Sequence, residues 1–307
     1  MQDTRRQILG SLADGPVSGP AMAEEIGVSR AAVWKHVEAL RDAGFEIESR
    51  DDGYVLVDAP EFGGAAVEYG LEAPFDIEYH DSIGSTNDRA RELADAGETD
   101  VVVLADEQTG GRGRLGRAWA APSGGIWLSL VCRPDVPTAH APVYTLAAAV
   151  ATTEALESVG IDAGIKWPND VLVDGEKITG ILTEMEGESG RVSWIVVGVG
   201  LNANIDAESV PETATTIREL VGDVDRAALT RDILERFEAF RTDTDSILPA
   251  WRASSTTLGQ RVRVETQRGD VVGKAVDIEF PGTLVVETET GRERVSAGDC
   301  EHLRPVE

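Results

Sequence analysis

Two spacings of apolar residues divide this chain. In residues 1–57 they recur at helical intervals. Arg5 to Leu12 reads as a short helix and Gly15 to Pro20 as a turn. The run A-M-A-E-E-I-G-V-S-R-A-A-V-W-K-H-V-E-A-L breaks at Gly27 and restarts at Ser29, a good N-cap. Val33, Val37 and Leu40 then follow at i, i+4 and i+7. Helix, short turn with glycine, helix is a helix-turn-helix signature. Next, F-E-I-E-S-R-D-D-G-Y-V-L-V forms two short strands around Asp52-Gly53, a wing. Residues 58–72 carry the Pro and Gly of a linker.

Residues 73–256 mix strand and helix patterns. F-D-I-E-Y-H, V-V-V-L-A-D, I-W-L-S-L-V and W-I-V-V-G-V-G-L-N read as strands. Asn87 to Ala96, Pro142 to Val159 and 226–251 read as helices, the second with proline in its first turn. V-L-V-D-G-E-K-I-T-G-I-L-T-E-M reads as a hairpin turning at Asp174-Gly175. The expected fold is α+β with a mixed sheet. Residues 257–307 switch to period two, with turns at Arg268-Gly269-Asp270, Pro281-Gly282 and Thr290-Gly291. Four or five short strands predict a small SH3-like barrel.

Composition narrows the function classes. The chain has 307 residues, 42% of them apolar, and no run of 18 apolar residues. It is therefore expected to be globular, without a membrane span or membrane partner. Its first residues lack a secretory pattern, so the expected location is cytoplasmic. Two distant cysteines and four scattered histidines make no metal spacing, and no transition metal is expected. The net charge is −27. It fits either a salty cytoplasm or an acidic protein without an anionic partner, and composition alone leaves both open. The helix-turn-helix stretch, 1–57, holds six Lys or Arg against ten Asp or Glu. Any DNA contact would have to focus its few cations on one face. Ser29, Arg30, Lys35 and His36 of the second helix are the candidates; a docking or dimerisation module is the rival reading.

Against that acidity, residues 109–117 read T-G-G-R-G-R-L-G-R. Gly111, Gly113 and Gly116 match G-x-G-x-x-G, but no helix follows, which excludes a dinucleotide fold. The better reading is an anion loop. Glycines let successive N–H groups turn inward, and Arg112, Arg114 and Arg117 add bidentate donors. Empty, such a loop should be self-repelling. A second cluster is K-W-P-N-D, where Lys166 and Asp170 sit at a strand end, Trp167 is extended before Pro168, and Asn169-Asp170 turns. Lys177 begins the next hairpin strand, a rigid mount for one cation. S-T-N at 85–87 caps a helix and could equally bind a polar ligand.

Taken in order, S-T-N, Gln108, G-R-G-R-L-G-R, K-W-P-N-D, Lys177 with G-I-L, and G-V-G-L-N resemble the biotin–protein ligases of the two-function type, which also act as biotin operon repressors. The resemblance spans the whole chain. It implies a winged helix-turn-helix, a class II synthetase-like ligase domain at 73–256 and an SH3-like C-terminal domain. It also implies that biotin and ATP, with Mg²⁺, form biotinyl-5′-AMP, and that biotin then passes to one lysine of a biotin carboxyl carrier domain. Lys177, Arg114 and Asp170 would then be catalytic. Ser85, Thr86, Asn87, Gln108, Arg112 and Gly113 would join Arg114 and Lys177 around biotin. Arg114, Arg117, Trp119, Lys166, Asn169 and Asn202 would hold the nucleotide, with Gly198 and Gly200 near the adenylate and Asn202 helping hold Mg²⁺. Trp119 and Trp127 would be apolar walls. Operator DNA and a ligand-promoted homodimer are the further partners implied. A lipoate ligase and a sensor that only binds ligand are the rivals.

Overall fold

The computed structural model describes residues 3–13 and 15–303. The chain divides into two compact units, Met1–Glu72 and Ala73–Glu307.

The first unit holds helices α1 (Asp3–Ala13), α2 (Gly19–Ile26) and α3 (Arg30–Asp42), the hairpin β1 (Glu46–Arg50) and β2 (Gly53–Asp58), and a short helix α4 (Gly64–Glu68). The hydroxyl of Ser29 accepts from Ala32 N (3.1 Å), so α3 starts where its cap predicts. Ser18 caps α2 in the same way, accepting from Ala21 N (3.3 Å), so α2 begins inside the stretch Gly15 to Pro20 expected as a turn. Gly27, at φ +76°, ends α2 in a conformation that favours glycine. Ile8, Leu12, Met22, Val33, Val37 and Leu40 close the core. The stretch expected as a linker is partly folded. Ala66 and Val67 of α4 are buried, and Tyr69 packs edge-on against Phe45 with ring centroids 5.7 Å apart. Its apolar residues had a nearby face to cover, which Pro and Gly content does not reveal.

The second unit contains β3 (Asp76–Ile83), α5 (Thr86–Asp95), β4 (Val101–Gln108), β5 (Ile126–Cys132), α6 (Pro142–Ser158), β6 (Gly164–Lys166), β7 (Asp170–Val173), β8 (Glu176–Glu188) and β9 (Arg191–Leu201). The strands form one seven-stranded sheet in the order β3-β4-β5-β9-β8-β7-β6. Only β3 and β4 run parallel; every other pair is antiparallel. Helix α6 is buried nearly all round, as its alanine-rich sequence allows.

After β9 come α7 (Ile217–Val221), α8 (Arg226–Thr242) and α9 (Ile247–Ala253). The single helix expected over 226–251 is two, because Asp243 leaves helical geometry (φ −121°, ψ 76°). There the hydroxyls of Thr242 and Ser246 bond nearby carbonyls, offering the backbone a turn instead.

The C-terminal strands are β10 (Arg261–Thr266), β11 (Gly269–Glu279), β12 (Thr283–Thr288), β13 (Gly291–Val295) and β14 (Asp299–His302). They form a five-stranded antiparallel sheet, β13-β12-β11-β10-β14. Trp167 fastens it to the larger sheet. Its backbone N donates to Thr257 Oγ1 (2.9 Å) and its indole Nε1 to Gly282 O (2.9 Å).

Candidate active site

The β7–β8 turn needs two residues of positive φ, and Asp174 (φ +50°) with Gly175 (φ +90°) supplies them. The tight turn brings Lys177 back beside β7, with Nζ 2.6 Å from Asp170 Oδ1. The same ammonium stands 4.9 Å from the ring centroid of Trp119. Trp119 lies on glycines of the two central strands. A Cβ at Gly200 would come within 2.9 Å of its Nε1, and one at Gly180 within 3.0 Å of its ring and 3.1 Å of Lys177 Nζ. The glycines of G-I-L and G-V-G-L-N thus clear space for one indole and one ammonium. The Trp119 Nε1 is buried and has no hydrogen-bond partner.

The loop 109–119 folds over this floor. Trp119 N donates to Gly111 O (2.9 Å) and Gly113 N to Arg117 O (2.8 Å). The expected self-repulsion is relieved by groups outside the loop. Arg112 pairs with Asp88 of α5, and Arg117 with Asp299 of β14. Arg114 donates to Asn169 Oδ1 (3.0 Å) and Gly298 O (2.7 Å). Burial pushes the Asp299 carboxyl up, but the hydrogen bond and charge of Arg117 outweigh it, so the group titrates below its ordinary value. It stays an anion beside the loop cations.

On the far side, polar groups converge at the start of α5. Ser85 caps the helix through Asp88 N (3.3 Å). Gln108 Oε1 accepts from Thr86 N (2.8 Å) and Thr86 Oγ1 (3.1 Å). Asn87 Nδ2 donates to Glu184 (2.8 Å), and Asn87 Oδ1 accepts from Ser129 Oγ (2.6 Å). Gly198 makes this possible, since a Cβ there would lie 2.1 Å from Asn87 Oδ1. Both clusters and the loop line one cavity of about 320 Å³, walled between them by Leu128, Ile181 and Leu182. One end is neutral and polar, the middle apolar, the other end cationic. That suits an amphipathic acid with its carboxylate at the cations.

Comparison with known proteins decides the family. The biotin/lipoate A/B protein ligase family model matches residues 79–202, the biotin protein ligase C-terminal domain model 257–303, and an HTH domain model 4–55. The bifunctional ligase/repressor BirA of Bacillus subtilis is 38% identical over 303 residues, covering 93% of each chain. The chain belongs to the biotin protein ligase family. The biotin–[acetyl-CoA-carboxylase] ligase of Mycobacterium tuberculosis is 39% identical over 235 residues, 72% of this chain and 86% of that one. The Aquifex aeolicus biotin protein ligase solved with biotin and ATP is 27% identical, with a TM-score of 0.62 over 75% of this chain and 99% of that chain.

Within this ligase fold most of the anticipated residues meet. Ser85, Thr86, Asn87, Gln108, Arg112, Gly113, Arg114, Arg117, Trp119, Asn169, Asp170 and Lys177 all line the cavity, with Gly198 and Gly200. Three expected residues are not among its lining. Trp127 is fully buried on β5, its Nε1 donating to Asp106 O (3.1 Å) and Pro122 O (2.9 Å). Lys166 lies toward β14, where its charge bears on Asp299, Cys300 and His302. Asn202 is buried, its Nδ2 donating to Thr215 O (3.0 Å) and lying 3.5 Å from Lys177 O, so it braces the strand that carries the lysine. Its Oδ1 is an unpartnered buried oxygen. One neutral oxygen does not meet the octahedral demand of Mg²⁺. Among the described residues, no group of three or more His, Cys, Asp or Glu is placed to hold a metal ion. Asn202 by itself therefore does not make a magnesium site.

Sequence reasoning missed Ser129 and Asp299. Ser129 left a signal, a lone hydroxyl in the apolar run I-W-L-S-L-V. Asp299 left none, since its role depends on where β14 docks. In the N-terminal unit, Arg30 and Lys35 are exposed on α3 and Ser29 caps it. His36 is half-buried; burial, then the charges of Arg5 and Lys35, lower its proton affinity. It belongs to the flank of α3 rather than its open face.

Proposed function

We propose that this protein joins biotin to ATP, passes the biotinyl group to a lysine of a biotin carboxyl carrier domain, and also acts as a biotin-responsive repressor. One observation carries the ligase reading: Lys177, Arg114 and Arg117 converge at one end of a cavity whose other end is a neutral hydrogen-bonding cluster. In the first step a biotin carboxylate oxygen attacks the α-phosphorus, the bond to the β-phosphate oxygen breaks, and pyrophosphate leaves. Two anions must meet, so fixed cations lower the barrier. Lys177 sits between the carboxylate and the α-phosphate. Arg114 and Arg117 take the phosphates, exchanging Gly298 O and Asp299 for them. Ser85, Thr86, Asn87 and Gln108 receive the ureido ring, and Arg112 with Gly113 closes over it. Asn169 holds Arg114, and Trp119 offers its face to the nucleotide.

In the second step the carrier lysine attacks the biotinyl carbonyl and AMP leaves. The amine must first be neutral, and we assign that base role to Asp170, a carboxylate that lines the cavity beside Lys177. Magnesium enters with the triphosphate as its substrate complex. The repressor half rests on the helix-turn-helix and on the full-length match to a ligase/repressor. A homodimer promoted by biotinyl-AMP would set two copies of α3 at successive major grooves. A sensor that only binds ligand has no use for Asp170 paired to Lys177, which favours the enzyme.

The test mixes the protein, biotin, MgATP and a carrier domain, and weighs the carrier by intact mass spectrometry. A gain of one biotin supports the ligase; lipoate in its place should add nothing. Asp170→Asn should slow transfer while adenylate formation persists. The reverse pattern would remove Asp170 as the base.

A further inference from the structure

Helix α3 buries Val33, Val37 and Leu40. That fixes which residues it offers outward: Arg30, Ala31, Trp34 and Lys35 are all exposed. Trp34 is 59% exposed, an indole of large apolar area left in water between two cations. Singly exposed apolar residues are common, but this one stands mid-face on the second helix of a helix-turn-helix, the element that enters the major groove.

The charges of the unit sharpen the case. DNA affinity is ordinarily dominated by phosphate neutralisation, and residues 1–57 carry a net negative charge. Two of its basic residues are engaged internally. Arg41 donates to Glu38 and Ile47 O, and Arg50 to Glu48. The wing turn adds Asp51 and Asp52. With so few cations in the unit to meet phosphates, base-edge contacts that release no counterions would carry more of the recognition. The major groove offers one apolar feature, the 5-methyl group of thymine. Resting on the repressor reading above, we propose that Trp34 reads sequence by packing its indole on a thymine methyl in the major groove, with Arg30 and Lys35 beside it on the phosphates or base edges.

The test selects bound sequences from a random DNA duplex pool with the full chain, biotin and MgATP, then replaces each thymine of the selected site by deoxyuridine. One such replacement should weaken binding roughly tenfold, the scale of one lost base contact. Trp34→Ala should weaken the thymine duplex by a similar factor and be indifferent to the replacement. Trp34→Phe, which keeps an apolar face, should remain sensitive. The wild-type to Trp34→Ala ratio should stay constant across salt, because an apolar contact releases no counterions. Matching far-UV circular dichroism separates these effects from misfolding. The proposal is overturned if no thymine is methyl-sensitive, or if Trp34→Ala selects and binds as wild type does. If the wild type enriches no sequence while still biotinylating a carrier, the repressor reading fails and Trp34 falls with it.

Discussion

The two units build their chemistry in opposite ways. Helix α3 gathers Arg30, Trp34 and Lys35 on one face of a single 13-residue helix. The ligase cavity draws on α5, β4, the arginine loop, β5, β7, β8, β9 and the residue that opens β14. A face of one helix is set by periodicity and a cap, and tolerates change one side chain at a time. A converged cavity is set by packing, so glycines distant in sequence matter along with the charged groups. Two floor glycines, Gly198 and Gly200, carry no chemistry of their own, yet a Cβ at either would strike Asn87 or Trp119.

That contrast is best tested at its extremes. Lys177→Ala removes the cation shared by both reacting anions. Biotin-dependent pyrophosphate release should fall by roughly 10²–10³-fold, with the melting profile little changed. Gly198→Ala adds only a methyl, but against Asn87. Biotin affinity, read by titration calorimetry, should drop roughly tenfold, in line with about 1–3 kcal/mol for overpacking a tight site. Wild-type affinity would mean that the cavity yields as readily as a surface.

In the N-terminal unit the sensitive element is local. Ser29→Ala deletes the cap of α3 and should cost about 1 kcal/mol, read as a lower melting transition for that unit with adenylation unaltered. A change in adenylation would mean that the two units are coupled. The smallest effect is expected from pH. Burial pushes the Asp106 carboxyl up, but hydrogen bonds from Ser123 and Arg226 outweigh it and leave it below its ordinary value. A depressed carboxylate contributes stability that is complete above the ordinary carboxylate range and lost as pH falls through its lower folded value. Asp106→Asn should therefore flatten the acid limb of the ligase unit's stability, measured by denaturant titration from pH 6 down to about 3.

Much of this was legible beforehand. The cap at Ser29, the turn at Asp174-Gly175 and the period-two strands after residue 257 act over a few residues, and the structure follows them. The arginine-rich loop and K-W-P-N-D stood out as candidates because glycine, arginine and proline carry backbone and charge information in their identity, and both line the cavity. Trp119 and Trp127 were not separable, since β5 is buried along its whole length and its apolar run gives no face. Only the sheet register laid one indole on Gly180 and Gly200 and turned the other into the core.

The amino-acid order alone determined most of the elements, the charge reserve of the loop and the family motifs, because propensity, capping and turn chemistry are short-ranged. The tertiary structure decided the counterions, the walls and the floor. Arg117 meets Asp299 across 182 residues of chain, Arg114 meets Asn169 across 55, and Asn87 meets Glu184 across 97. Partners that far apart are chosen by how sheets dock and strands register, and no local pattern encodes that choice.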